Sequence, residues 1–356
     1  MPRRRCRSRR RRTSIARAAA IAALLAAPRL AQACDLCAIY TTTEGREEEP
    51  GPYVGVAEQY TYFGTEKKNG ETVGNPFGEH LNSSITQLIA GYTFVPRFSM
   101  QINFPIIARS FRRVETTGVE DGSENGIGDM SVIATVRAFS WVTTQTVAHL
   151  YLFGGLKFPT GDPSALGEEL QPSPCILNPM VCGIASGLRA VPGVHPHHTG
   201  GPASGIHGHD IALGSGSVDG IVGAQVFGSW QRAFATASVQ YLARTVGAFD
   251  YQYANELLFE GGPGAYLLLG DNWLGRAYAL GAQVLFTGET KGNDTLGDEK
   301  ETDTGITALY LGPAFRFSWG THLFTEITAD FPVLQNNTGL QIVPNYRLRG
   351  GITWRF

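Results

Sequence analysis

The last twelve residues of the chain, 345–356, have the sequence NYRLRGGITWRF. One set of alternate positions is apolar or glycine: Tyr346, Leu348, Gly350, Ile352, Trp354 and Phe356. The positions between them are mainly polar: Asn345, Arg347, Arg349, Thr353 and Arg355. Because successive side chains of a β-strand point to opposite faces, this segment is a strand with one apolar and one cationic face. In a soluble sheet, either the apolar face would be exposed to water or the arginines would be buried. In a membrane barrel the apolar face contacts lipid and the cationic face points into the lumen.

The same alternation recurs through most of the chain. It predicts an all-β fold, a transmembrane antiparallel up-and-down β-barrel of about twelve strands with long extracellular loops. The composition agrees, because 44 of the 356 residues are Gly, only 17% are charged, and the mean hydropathy is −0.08. The predicted strands are 52–63, 81–94, 98–110, 127–139, 146–158, 210–227, 232–244, 256–269, 275–288, 304–318, 321–332 and 342–356.

The connections between these strands alternate between short and long. Short periplasmic turns and longer outer loops are typical of outer-membrane barrels. The longest connection is the outer loop 159–209, and even the last, 333–341, is expected to be longer than the turns. An even number of strands places both ends of the barrel in the periplasm. A connection as long as 159–209 is usually functional or disordered, and we expect it to fold over or into the barrel mouth.

Residues 1–33 differ from the rest of the chain. They contain ten arginines and no acidic residue, followed by the apolar stretch Ala18–Ala27 and the small residues Ala31 and Ala33. This pattern predicts a signal peptide and export to the outer membrane of a Gram-negative bacterium. A transmembrane anchor, a basic arm and a lipoprotein with Cys34 at its start are the alternatives. The predicted organisation is a signal peptide 1–33, a periplasmic segment 34–51 and a barrel 52–356.

The charge of the mature chain argues against a nucleic-acid partner. Without the ten leader arginines, 19 of the 29 basic residues remain against 31 acidic residues, a net charge of −12. Nucleic-acid-binding proteins carry clustered positive charge instead. The predicted partners are the lipid bilayer, a small-molecule solute and the barrel-assembly machinery, which would contact the terminal strand ending at Phe356.

Three motifs occur in a fixed order along the barrel. They are Gly126-Ile127-Gly128-Asp129 at a strand start, Lys157-Phe158-Pro159-Thr160-Gly161-Asp162 at a strand end, and Leu213-Gly214-Ser215-Gly216-Ser217-Val218-Asp219-Gly220 after the long loop. As a set, within about residues 85–356, they resemble the outer-membrane family labelled "putative MetA-pathway of phenol degradation". The resemblance implies a transporter-like barrel for small molecules, aromatic or hydrophobic compounds among them. It implies no catalytic residues.

Four cysteines follow the leader. Cys34 and Cys37 form a Cys-x-x-Cys pair, which is either a local disulfide, part of a metal site or a thiol pair for a partner. The next residue is Ala38 rather than His, so the motif excludes covalent haem attachment. Cys175 and Cys182 lie in the long loop, where exported proteins form disulfides, and we expect a bridge between them.

Five histidines lie within fifteen residues of the long loop: His195, His197, His198, His207 and His209. Imidazoles at this spacing bind Cu, Ni or Zn weakly even when the loop has no ordered site. The many glycines and prolines around them favour a flexible surface loop. No other cofactor is expected.

Eight charged side chains are predicted to point into the barrel: Asp129, Arg137, Lys157, Arg316, Glu326, Asp330, Arg347 and Arg349. They either line a permeation path or pair with one another and fill the lumen. A barrel of twelve strands is wider than the eight-stranded size that side chains can fill alone. A constricted channel is therefore expected, with the long loop as its constriction.

These observations predict a passive, porin-like outer-membrane pore or transporter for small solutes. No Ser/His/Asp arrangement or fixed carboxylate pair stands out, so an enzyme is not expected. The alternative is a non-conducting barrel, in which the Cys34–Cys37 segment binds or scaffolds a periplasmic redox or metal-handling partner.

Overall fold

The computed structural model describes residues 49–115, 118–170 and 204–356. In chain order its strands are β1 (Gly51–Lys68), β2 (Glu71–Thr72), β3 (His80–Val95), β4 (Phe98–Glu115), β5 (Gly118–Ile127), β6 (Met130–Val142), β7 (Thr146–Phe158), β8 (Asp219–Trp230), β9 (Ala233–Ala243), β10 (Tyr251–Gln252), β11 (Glu256–Trp273), β12 (Arg276–Lys291), β13 (Thr295–Leu296), β14 (Glu299–Lys300), β15 (Ile306–Trp319), β16 (Leu323–Asn337) and β17 (Leu340–Arg355). Two 3-10 helices, Ser164–Leu170 and Ala248–Asp250, and a single α-helical turn, Gly208–Ile211, complete the described elements. Among the described residues, none of the helices has the length and apolar character to cross a bilayer.

Twelve of these strands form one closed antiparallel barrel. Their order around it is β1, β3, β4, β6, β7, β8, β9, β11, β12, β15, β16 and β17. The last strand pairs with the first, with Tyr53 opposite Arg355, so the barrel sheet has no open edge. The predicted fold class is confirmed. Closure satisfies the backbone hydrogen bonds of every strand within the barrel, as a membrane-spanning sheet requires.

Side chains alternate between the lumen and the outer surface, as the sequence predicts. In β17 the apolar set faces outward, with Leu348 and Ile352 exposed, while Arg347 is buried inside. In β1, exposed Val54 and Val56 alternate with buried Ala57. The predicted register of the terminal strand is confirmed, since a one-residue slip would have exchanged the two faces.

One end of the barrel, here called the short-turn end, has turns of two or three residues. Its connections are 96–97, 143–145, 231–232, 274–275 and 320–322. Leu274 and Gly275 both have positive φ values, which a tight two-residue hairpin turn needs. Aromatic side chains ring this end, and Trp319 stands 6.2 Å from Trp354 between ring centroids. Such aromatic girdles mark the membrane interface of outer-membrane barrels.

The opposite, long-loop end differs from the prediction at three places. The predicted loop 111–126 is largely strand, because β5 pairs with the extended upper part of β4. The predicted strand 210–227 begins only at Asp219, since a helical turn and irregular backbone precede it. The predicted loop 333–341 is a turn of two residues, 338–339, between β16 and β17. In these polar segments the alternation of apolar and polar residues is too weak to locate the ends of the strands.

Candidate functional site: the folded-in segment and the charged lumen

Part of the long loop lies inside the barrel. We call residues 161–170 and 204–218 together the folded-in segment. Its side chains Ile206 and Ile211 are buried in a cluster whose other members come from the barrel wall: Phe63, Leu81, Phe111 and Ile342. Leu213 packs in the same way between Ile85 and Ile107. Buried apolar contacts to several strands therefore hold the folded-in segment in the lumen.

Charged wall residues also bind the backbone of the folded-in segment. The guanidinium of Arg109 donates hydrogen bonds to the carbonyl oxygens of Asp210 and Ala212, at 2.5 and 3.0 Å. Two further anchors belong to Glu79 and Arg113. Glu79 accepts hydrogen bonds from the Ser204 hydroxyl and the Gly205 amide, and Arg113 donates to Glu168 at 2.7 Å. The side chains of Arg109, Glu79 and Arg113 are buried, so these hydrogen bonds replace their lost hydration.

Asp129 joins both ends of the folded-in segment to the barrel rim. One carboxylate oxygen accepts the Gly161 amide at 3.0 Å. The other accepts the Ser215 amide and hydroxyl at 2.9 and 2.7 Å and the Lys157 ammonium at 2.8 Å. We call this set, with Asp219, the Asp129 junction. Its donors come from two distant stretches of chain, so the carboxylate fixes where the segment enters the lumen.

The three motifs that carried the family resemblance meet at the Asp129 junction. Thr160 donates its hydroxyl to the Gly128 carbonyl at 2.8 Å and accepts the Met130 amide at 2.8 Å. Gly161 and Gly214 face each other so closely that a Cβ on either would lie 2.5–2.6 Å from the opposite backbone. Glycine is therefore required at positions 161 and 214 by the close approach of the two backbones.

Asp219 extends this network along the barrel wall. Its carboxylate lies 2.7 Å from the Arg244 guanidinium and 3.2 Å from the Lys157 ammonium. All three side chains are almost completely buried. Buried charges are tolerated only when they are paired and hydrogen-bonded in this way.

On the opposite side of the lumen, most of the remaining predicted charges form ion pairs. Arg349 contacts Asp330 at 3.0 Å and Glu260 at 2.9 Å. Arg347 contacts Glu289 at 2.9 Å, and Arg316 pairs with Glu326. Arg137 also points inward, but its Nε and one terminal nitrogen have no hydrogen-bond partner among the described residues. The other seven predicted lumen residues are thus each paired with an opposite charge rather than facing an open path. Arg347 and Glu289 lie on β17 and β12, which are not neighbouring strands.

His207 and His209 lie in the folded-in segment rather than on an exposed loop. The His209 Nδ1 atom donates a hydrogen bond to the Glu169 carboxylate at 2.9 Å, and the ring stacks between His207 and Tyr251. Burial alone would lower the pKa of His209, but the carboxylates of Asp210 and Glu169 outweigh it and raise that pKa to about 10. Burial likewise opposes ionisation of Glu169, yet His209 lowers its pKa to about 2.

Several predicted features lie outside the described residues. These are the signal peptide 1–33, nearly all of the segment 34–51, Cys34, Cys37, Cys175, Cys182, His195, His197 and His198. The disulfides and the contribution of these three histidines to metal binding stay predictions.

Sequence reasoning missed the wall residues that hold the folded-in segment. Arg109 and Arg113 continue the inward phase of Ser99 and Gln101 in β4, so the period-two pattern could have found them. Glu79 precedes β3, and Asp210 and Glu169 lie in segments without any period. Their positions depend on tertiary contacts that no local pattern encodes.

Comparison with known proteins agrees with this architecture. An outer-membrane channel from Pseudomonas putida F1 superposes with a TM-score of 0.53 at 11% identity, covering 89% of this chain and 100% of that chain. The β-domain of a Bordetella autotransporter gives a TM-score of 0.38 at 9% identity, covering 87% and 100% of the two chains. A FadL homologue from Pseudomonas aeruginosa gives 0.33 at 11% identity, covering 86% and 90%.

No known family model and no curated protein matches this sequence, so the label drawn from the three motifs is not confirmed. At 11% identity the first superposition shows the fold alone. The chain has the fold of an outer-membrane β-barrel and is similar in that fold to a channel.

Proposed function

We propose that this protein is an outer-membrane pore or transporter through which small solutes pass passively once the folded-in segment moves. In this proposal the long-loop end faces the outside of a Gram-negative cell and the short-turn end faces the periplasm. The observation that supports this function is the polar lumen of a twelve-stranded barrel, which the folded-in segment fills at the long-loop end. In outer-membrane barrels a polar interior is either a water-filled channel or is plugged by a loop or helix.

The attachment of the folded-in segment supports a movable closure. Its described parts contact the wall through small apolar clusters and through hydrogen bonds that involve the side chains of Arg109, Glu79, Arg113 and Asp129. None of the described residues 161–170 and 204–218 belongs to a barrel strand. The strands' own hydrogen bonds do not depend on it, so it can shift while the barrel stays closed.

Small aromatic or hydrophobic compounds are the proposed solute class. The motifs of the Asp129 junction support this class, because they resemble those of the outer-membrane family labelled "putative MetA-pathway of phenol degradation". The route would run along the lumen once Arg109 and Arg113 release the segment.

A second candidate function is a non-conducting barrel that binds a periplasmic redox or metal-handling partner. The paired lumen charges favour it, because Arg347, Arg349 and Lys157 are engaged with carboxylates rather than facing open space. It predicts no solute flux under any condition that leaves the barrel folded.

Solute influx into proteoliposomes tests the proposed function. Replacing Arg109 and Arg113 together with Ala removes two anchors of the folded-in segment, and we expect small uncharged solutes, phenol among them, to enter several-fold faster than with the unaltered chain. Arg112→Ala is the matched control, because Arg112 lies in the same strand but pairs outside the barrel with Asp121. Equal, background-level influx for all three folded proteins would favour the non-conducting barrel.

A further inference from the structure

His207, His209 and Asp210 bring three side chains of metal-ligating type together in the folded-in segment. One nitrogen of each histidine and one carboxylate oxygen of Asp210 all lie within 4.8 Å of one another. The His209 Nε2 atom is 3.5 Å from one Asp210 oxygen, and the His207 Nδ1 atom is 3.8 Å from the other. Both distances exceed an N···O hydrogen bond of about 2.7–3.2 Å. They approach the separation of about 3.3 Å expected between two ligands that share a tetrahedral zinc ion with bonds near 2.0 Å.

The second nitrogen of each histidine faces a different carboxylate. The Nδ1 atom of His209 lies 2.9 Å from Glu169, and the Nε2 atom of His207 lies 3.6 Å from Asp303. Metal-binding histidines almost always present their other ring nitrogen to such a carboxylate, which fixes the ring and strengthens the ligand. Ion pairing alone explains the short His209–Glu169 contact, but it leaves the His207 Nδ1 atom buried without a hydrogen-bond partner.

We propose that His207, His209 and Asp210 bind one divalent transition-metal ion, with Glu169 and Asp303 supporting the two imidazoles from behind. Two nitrogens and one oxygen are ligands that suit Zn²⁺, Cu²⁺ or Ni²⁺, and three protein ligands leave one position for water. The ligands come from the folded-in segment, whereas Asp303 belongs to the connection between β14 and β15. The bound ion therefore joins three residues of the folded-in segment, while Asp303 faces the imidazole of His207 from that connection. This inference does not depend on the proposed transport function.

Zinc titration by calorimetry of the refolded barrel tests this site. The protein is purified without a polyhistidine tag and its free thiols are blocked, so that cysteines do not contribute. One variant carries His207→Asn and His209→Asn. A matched variant carries Ala at His195, His197 and His198, the three histidines that lie elsewhere in the loop. Slower gel migration after boiling shows that each barrel was folded.

The proposal expects one Zn²⁺ per chain, retained when the other three histidines are replaced and lost in the His207/His209 variant. Glu169→Gln should weaken binding by about 10- to 100-fold, the usual effect of removing a carboxylate behind a histidine ligand. Binding that survives in the His207/His209 variant, or disappears with His195, His197 and His198, would overturn the assignment. Absence of stoichiometric binding to the unaltered folded protein would overturn it as well.

Discussion

Glu58 occupies a position where a carboxylate is costly. It points outward from β1, between the lipid-facing residues Val56 and Tyr60, and opposite Thr86 in the register of β3. Its two oxygens accept the hydroxyls of Ser84, at 2.5 Å, and Thr86. Because lipid offers no hydrogen bonds, these two hydroxyls are what the outer face provides to satisfy the charge.

Replacing Ser84 with Ala and Thr86 with Val should therefore destabilise the barrel by about 1–3 kcal/mol, the usual cost of leaving a buried polar group unsatisfied. Urea unfolding of the barrel refolded in vesicles measures this change. The control is the same double substitution in a Glu58→Ala background, where no carboxylate remains and the loss should shrink. An equal loss in both backgrounds would show that the hydroxyls do not act on Glu58.

A local sequence pattern predicts which way a side chain points, but not which distant side chain it contacts. The alternation at Arg347 and Leu348 predicts correctly which side chain faces the lumen, because the two-residue period is local. It cannot predict that Arg349 meets Glu260, which is 89 positions away. That contact depends on the order and register of the five strands from β11 to β17 in the barrel, which no single segment encodes.

At the scale of elements, the Asp129 junction determines the position of the folded-in segment. The sequence indicated that its three motifs mattered, but the motifs lie in different segments and their convergence on one carboxylate follows only from the fold. The segments 161–170 and 204–218 have no sustained period of two or 3.6. The sequence therefore predicted a loop up to residue 209, began the next strand too early at residue 210, and did not predict the docking contacts.

Asp129→Ala should detach the two ends of the folded-in segment, at Gly161 and Ser215, from the barrel wall. It removes the acceptor of the Gly161 and Ser215 amides and one carboxylate partner of buried Lys157. Breaking a buried charge pair typically costs about 3–5 kcal/mol. We expect limited proteolysis, mapped by mass spectrometry, to cut within 161–170 or 204–218 faster than in the unaltered protein, while the barrel stays intact.

Asp121→Ala is the control for this prediction. Asp121 also pairs with an arginine, at 2.7 Å, but both side chains are largely exposed, and such pairs contribute about 0–1 kcal/mol. The control should be cut as slowly as the unaltered chain. If the Asp129 variant is cut no faster than the control, the junction does not hold the segment.

At the scale of the whole molecule, the barrel and the folded-in segment are separate structures. The barrel wall is continuous from β1 to β17, and the folded-in segment fills the lumen without joining the sheet. Leu213 and Gly214 both donate their amides to the Asp162 carbonyl, at 3.2 and 3.0 Å. The chain can therefore be joined directly from Asp162 to Leu213, which removes 163–212 while keeping Asp129, Gly161 and Ser215.

Single-channel conductance of this deletion in planar bilayers tests the central claim most directly. The control deletion removes only 171–203, so that the described parts of the folded-in segment stay in place. Our account predicts that the 163–212 deletion conducts in discrete, larger steps, whereas the control and the unaltered chain remain largely closed. Equal conductance in all three folded barrels would contradict the claim that the folded-in segment closes the pore.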